Sequence, residues 1–172
     1  MKRASLLVAV AFLCASVARA DVSSKDKKFI ENAAAGGIVE VNLGKLASEK
    51  ASMDDVKQFG QKMVDDHTKA SEELKQLAQS KSVDLKDGEE NGTKEAQKTS
   101  VKLSKNNGAA FDKAYIDDMV DDHEKDVKEF EKASKDAEDA DVKAWAAKTL
   151  PTLQMHLQMA KDLQEKLKKT PQ

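Results

Sequence analysis

Apolar residues return every three to four positions through four long stretches of this chain, each bounded by helix start and stop signals. That spacing excludes strands, whose apolar residues alternate. It commits the chain to helices that must bury one face against one another. Two prolines and 4% aromatic residues, against 35% charged, suit long helices. The first helix is expected from about Lys25 to Lys50, opened by Ser23 with Asp26, and its inner face holds Phe29, Gly36, Gly37, Glu40, Leu43 and Gly44. The second opens at Ser52 and Asp55, carries Val56, Phe59, Met63, His67 and Leu74 inward, and fades near Ser80. The third starts near Ala109 with the stripe Phe111, Ile116, Met119, His123 and Phe130, and ends between Ala133 and Ala140. The fourth begins near Asp141, carries Trp145, Leu153, His156, Ala160 and Leu163, and contains Pro151, which removes one backbone hydrogen bond.

Residues 81–108 have a different texture. Lys86-Asp87-Gly88 and Asn91-Gly92 have turn chemistry, and Thr93 to Lys105 can make a short polar helix before Asn106-Asn107-Gly108. The stretch is too long for a hairpin between helices but long enough to cross a bundle from end to end. It is expected as a crossover inside one domain; the alternative is a flexible linker between two. Two tightly joined helix pairs separated by one long connection are the connectivity of an all-α, ferritin-like four-helix bundle.

The N-terminus stands outside that pattern. Lys2 and Arg3 precede ten apolar residues, Leu6 to Ala15, and Ala18-Arg19-Ala20 supplies a cleavage site. This is the order of a secretory signal peptide, expected to occupy residues 1–20 and to be removed. The apolar run is shorter than the roughly 20 residues a membrane-spanning helix needs, so no stable membrane insertion is expected after cleavage. Residues 21–172 form the expected single domain, in the periplasm or secreted. The only cysteine, Cys14, leaves with the leader, so no disulfide or thiolate chemistry is expected. The remainder has 26 basic against 31 acidic residues, a net −5. A mixed and mildly acidic surface argues against a nucleic-acid partner.

A five-residue string occurs twice, Met63-Val64-Asp65-Asp66-His67 and Met119-Val120-Asp121-Asp122-His123, and holds two of the three histidines. Each histidine sits on the inward face of its helix, as does the third, His156, and the first helix contributes Glu40. All four stand near mid-helix, so one level of the core can bring them together. Buried ionisable groups need partners. One solution is a metal-free hydrogen-bonded network in which Glu40 accepts from the histidines. The other is a transition metal (iron, zinc or copper) held by Glu40, His67, His123 and His156. Met63 and Met119, each four residues before a histidine, are weaker candidate ligands suited to copper, and at helical spacing they also suit core packing. Gly36, Gly37 and Gly44 either leave room beside Glu40 or let a neighbouring backbone approach. Asp65 points away from its histidine's face. Asp66 and Asp122 lie on the flanks, as surface acids or as acceptors that orient an imidazole on a neighbouring helix.

Four stretches, Phe29 to Ala51, Val56 to His67, Phe111 to His123 and Leu150 to Ala160, resemble in content and order a bacterial family of exported proteins catalogued as domain of unknown function 4142. The resemblance implies export and a ferritin-like fold, and no settled activity. The di-metal carboxylate site of the wider ferritin-like class asks for Glu-x-x-His on two helices. Here Val64, Val120 and Leu153 stand three residues before the histidines, so a histidine-rich mononuclear site is the more plausible metal version. No nucleophile triad, glycine-rich phosphate loop or CxxC motif supports an ordinary enzyme. The sequence therefore points to an exported bundle of non-enzymatic or unknown function, with a buried Glu/His core that can bind one transition metal. The alternatives are a redox or oxygen-handling metalloenzyme, or an envelope stress protein with a metal-free core and a protein partner.

Overall fold

A computed structural model describes residues 22–169; the leader expected over residues 1–20 lies outside them. The described residues form five helices and no strand: α1 (Ser24–Lys50), α2 (Asp54–Ser80), α3 (Lys86–Leu103), α4 (Gly108–Asp136) and α5 (Ala140–Lys169). The four long helices start and stop within a few residues of where their apolar stripes do. Ser23 caps α1, its Oγ accepting the Asp26 N–H at 3.2 Å. The helix α5 continues through Pro151, which is exposed.

Three-residue turns join α1 to α2 and α4 to α5, so each pair folds back on itself. A buried carboxylate from the opposite pair clamps each turn. Asp112 of α4 accepts the backbone N–H groups of Ser52 and Met53 at 2.9 and 2.8 Å and the Ser52 hydroxyl at 2.6 Å. Asp26 of α1 accepts the backbone N–H groups of Glu138 and Asp139 at 2.9 and 2.7 Å. These clamps fix direction. The start of α1 lies beside the end of α4, and the end of α1 beside the start of α4, so α1 is antiparallel to α4 while α2 and α4 run the same way. The chain therefore travels the length of the bundle between the end of α2 and the start of α4.

That journey is made by α3, which is longer than expected: it begins at Lys86, not near Thr93. Gly88 and Gly92 are buried and helical instead of forming turns. A Cβ on Gly88 would lie 2.5 Å from the Glu31 carbonyl oxygen, and one on Gly92 2.5 Å from that of Ala35. The two glycines, four residues apart on one helix face, let α3 lie against the backbone of α1.

Two apolar clusters fill the interior. Leu43, Phe59, Met63, Phe111, Tyr115 and Met119 are at the Asp112 end, joined by Ala96 and Leu103 of α3. Phe29, Ile30, Leu74, Phe130, Trp145 and Leu153 are at the Asp26 end. Between the clusters lies a layer of buried polar side chains, Glu40, His67, His123 and His156.

Candidate metal centre

One histidine comes from each of α2, α4 and α5, near mid-helix, where the 3.6-residue repeat turns it inward between a residue of one apolar cluster and a residue of the other. Met63 and Leu74 flank His67, Met119 and Phe130 flank His123, and Leu153 and Ala160 flank His156. The three ring centroids are 5.7 Å (His67–His123), 5.4 Å (His67–His156) and 5.4 Å (His123–His156) apart. One ring nitrogen from each lies within 4.8 Å of the others. Exposure is 6% for His67 and 0% for His123 and His156.

Two rings are held in defined tautomers by groups that can only accept. His123 donates Nδ1–H to the Met119 carbonyl at 2.9 Å, and His156 donates Nε2–H to the Asp66 carboxylate at 2.7 Å. Each therefore turns a lone pair to its other nitrogen, His123 Nε2 and His156 Nδ1. Both of these, with His67 Nε2, are buried without a hydrogen-bond partner among the described residues. An imidazole whose N–H is bound to a carbonyl or carboxylate while the opposite nitrogen carries a bare lone pair is the arrangement of a metal-ligating histidine.

The electrostatics keep those lone pairs free of protons. Burial pushes the His67 pKa well below the ordinary imidazole value, reinforced by the two neighbouring rings. Burial also lowers His123, and it lowers His156 to about 4 despite the opposing bond from Asp66. Burial alone would raise Asp66, but the bonds from His156 and Lys62 outweigh it and hold this carboxylate below its usual range. At neutral pH the centre is three neutral imidazoles with an anionic acceptor behind one of them. Such a donor set suits zinc, copper, iron or nickel, and the buried three-histidine group can hold a metal ion.

The other expected ligands are placed differently. Glu40 is 2% exposed, and its Oε1 lies 3.8 Å from His123 Nδ1, the nitrogen that already donates to Met119. Glu40 thus sits behind the His123 ring and outside the three-nitrogen group, with Oε2 unpartnered among the described residues. Burial, with the charges of Asp122 and Asp118, pushes its pKa up to about 8. Asp126, one turn beyond Asp122 and half-buried, is pushed up to about 7 by burial and then by Glu40. Met63 and Met119 are fully buried in the apolar cluster, and Met119 meets His123 through its backbone carbonyl. Of the string's acids, Asp65 is exposed and bonded to Gln61, Asp122 pairs with Lys125, and Asp66 alone reaches an imidazole on another helix. Periodicity did not single out Tyr115 or Asp126. Tyr115 has a buried hydroxyl with no partner among the described residues, and burial followed by Glu40 pushes its pKa well up. A signal for Asp126 existed, since it stands three residues after His123 on the same side of α4.

No curated protein and no solved structure matches the chain. A family model described as domain of unknown function (DUF4142) matches residues 13–163. That span takes in α1 to α4, α5 as far as residue 163 and every residue of the histidine centre, and the chain belongs to the DUF4142 family.

Proposed function

We propose that this chain is an exported, ferritin-like bundle that binds one transition-metal ion through His67, His123 and His156, without an enzymatic reaction of its own. One observation carries the metal reading: three converging imidazole nitrogens are buried with no hydrogen-bond partner among the described residues. A metal-free network stabilises a core only when its members are satisfied, and here each ring has a buried nitrogen without a partner among the described residues, a bare lone pair on His123 and His156. Metal–nitrogen bonds of about 2 Å need the three nitrogens roughly 3.5 Å apart, so the rings close by about an ångström on binding. Glu40, held protonated at neutral pH by its burial, can give up its proton behind His123 as an ion binds and so offset part of the charge of the ion. The parallel course of α2 and α4, with the crossover along α1, supports the ferritin-like connectivity. The leader pattern supports passage to the periplasm, and no described helix is long and apolar enough to cross a membrane.

The test is metal uptake. Protein freed of metal and dialysed against zinc, copper or iron is expected to retain about one equivalent, and the His67→Ala/His123→Ala double variant to retain none. Wild-type protein that takes up none of the three overturns the reading. N-terminal sequencing of the exported protein is expected to begin at Asp21.

A further inference from the structure

Three imidazoles do not complete the coordination of zinc, iron or copper(II), which take four or more ligands. The chain has three histidines and all are used. Glu40 lies behind His123, and Asp66 is engaged by His156 and Lys62. On the remaining side the walls draw back. A cavity of about 30 Å³ lies between the helices, bounded by Gly36 and Gly37 of α1, His67 and Ser71 of α2, Asp126 of α4 and Trp145 of α5. A Cβ on Gly36 would meet no heavy atom within 4 Å, so the α1 wall is open at that position. The volume is about twice what one water needs.

Two residues of the lining, His67 and Trp145, each have a buried ring nitrogen with no partner among the described residues, Nε2 and Nε1. They are complementary. A neutral imidazole nitrogen offers a lone pair to a metal, and an indole N–H can only donate. A donor beside a metal site suits a metal-bound ligand that keeps a lone pair on its outer atom.

We propose that this cavity is the open coordination position of the metal centre, and that it takes water or a small anion whose outer atom accepts the Trp145 Nε1–H. The inference rests on the metal reading above and adds that the site is open on the His67 side. It needs no electron transfer or bond cleavage: the ligand enters, donates a lone pair to the metal and accepts one hydrogen bond.

Full-length mature protein is loaded with copper(II) or cobalt(II), its metal content is measured, and sodium azide is titrated in. A saturable azide-to-copper charge-transfer band, or a change in the cobalt d–d bands, is expected. Trp145 is the only tryptophan, so its emission is expected to change over the same titration. Trp145→Phe keeps the ring and loses the donor. It is expected to weaken azide about tenfold, the loss of one hydrogen bond to a charged group, at unchanged metal content and helicity. If metal-loaded wild type shows no spectral response to azide, the open position is overturned while the metal centre stands. Equal azide affinity in folded Trp145→Phe overturns the assignment to this cavity. Failure to bind either metal overturns the inference together with the reading beneath it.

Discussion

His156 donates its Nε2–H to Asp66 Oδ2 at 2.7 Å across the interface of α2 and α5. The bond does three things at once. It fixes the tautomer of His156, turns Nδ1 towards the other two imidazoles, and raises the basicity of that nitrogen through the carboxylate behind the ring. Asp66→Asn keeps the size and loses the charge, and is expected to weaken metal binding about 10–100-fold with the stoichiometry unchanged at saturation. Competition against a chromophoric chelator measures this. Asp65→Asn is the control from the same string: Asp65 is exposed, bonds to Gln61, and its loss is expected to leave affinity unchanged. Equal losses from both variants would point to a general charge effect.

The histidines were legible because a 3.6-residue repeat places His67, His123 and His156 on the apolar faces of three separate helices. What a one-dimensional repeat does not carry is the rotation of each helix about its axis to within the width of a side chain. That rotation decides that Asp66 reaches His156 while Asp122, its counterpart in the second string, pairs with Lys125. It also decides that Glu40 stands behind His123 and not among the converging nitrogens. Gly88 and Gly92 were misleading for a different reason. Glycine serves turns and close helix crossings alike, and only the carbonyls of Glu31 and Ala35, some 57 residues earlier in the chain, show which is meant. Asp26 was legible only as a helix-start residue beside Ser23 and Asp112 not at all, since the backbone groups they satisfy lie on the far side of the sequence.

Those two aspartates yield the next prediction. Asp112→Ala removes the acceptor for two backbone N–H groups and one hydroxyl, and Asp26→Ala the acceptor for two backbone N–H groups. Charge-assisted bonds to turn amides are worth about 1.5–3 kcal/mol each before water replaces part of the loss. Each variant is expected to lose about 2–4 kcal/mol of stability, read from urea unfolding midpoints. The sites lie at opposite ends of the bundle, so the double variant is expected to lose about the sum. Strong non-additivity would mean that the two helix pairs do not unfold together.

The titrating groups of the core act in opposite directions. The histidines have folded-state pKa values below the unfolded value, for His156 about 4 against 6.5, so the unfolded chain binds more protons as pH falls from 6.5 towards 4 and stability falls with it. Glu40 has the other sign. Its folded pKa of about 8 lies above the unfolded 4.5, so its contribution is fully present below pH 4.5 and is lost as pH rises through 8. Glu40→Gln cannot ionise. In metal-free protein its stability relative to wild type is expected to grow from pH 4.5 to 8 and then level off. Thermal melts of the two proteins across that range decide it, and parallel curves would show that Glu40 stays ionised in the folded protein.

Two glycines eight residues apart on α1 are expected to respond to alanine with opposite signs. At Gly36 a new Cβ meets nothing within 4 Å, and alanine gains the helix propensity that glycine lacks, about 0.5–1 kcal/mol of stabilisation. At Gly44 the same atom would lie 2.6 Å from the Gly60 carbonyl oxygen and 3.1 Å from side-chain carbons of Met63 and Val64. The obstacle is backbone, which no rotamer change relieves, so α1 and α2 must part. Overpacking of this kind costs about 1–3 kcal/mol. The separation also moves the segment of α2 that carries His67, which lies one turn beyond Met63. Gly44→Ala is therefore expected to weaken metal binding as well as fold stability, although Gly44 lies at the level of the apolar cluster. Paired urea melts and metal titrations of the two variants test both halves, and a stabilised, fully metal-competent Gly44→Ala would show that the crossing is looser than the glycine contact implies.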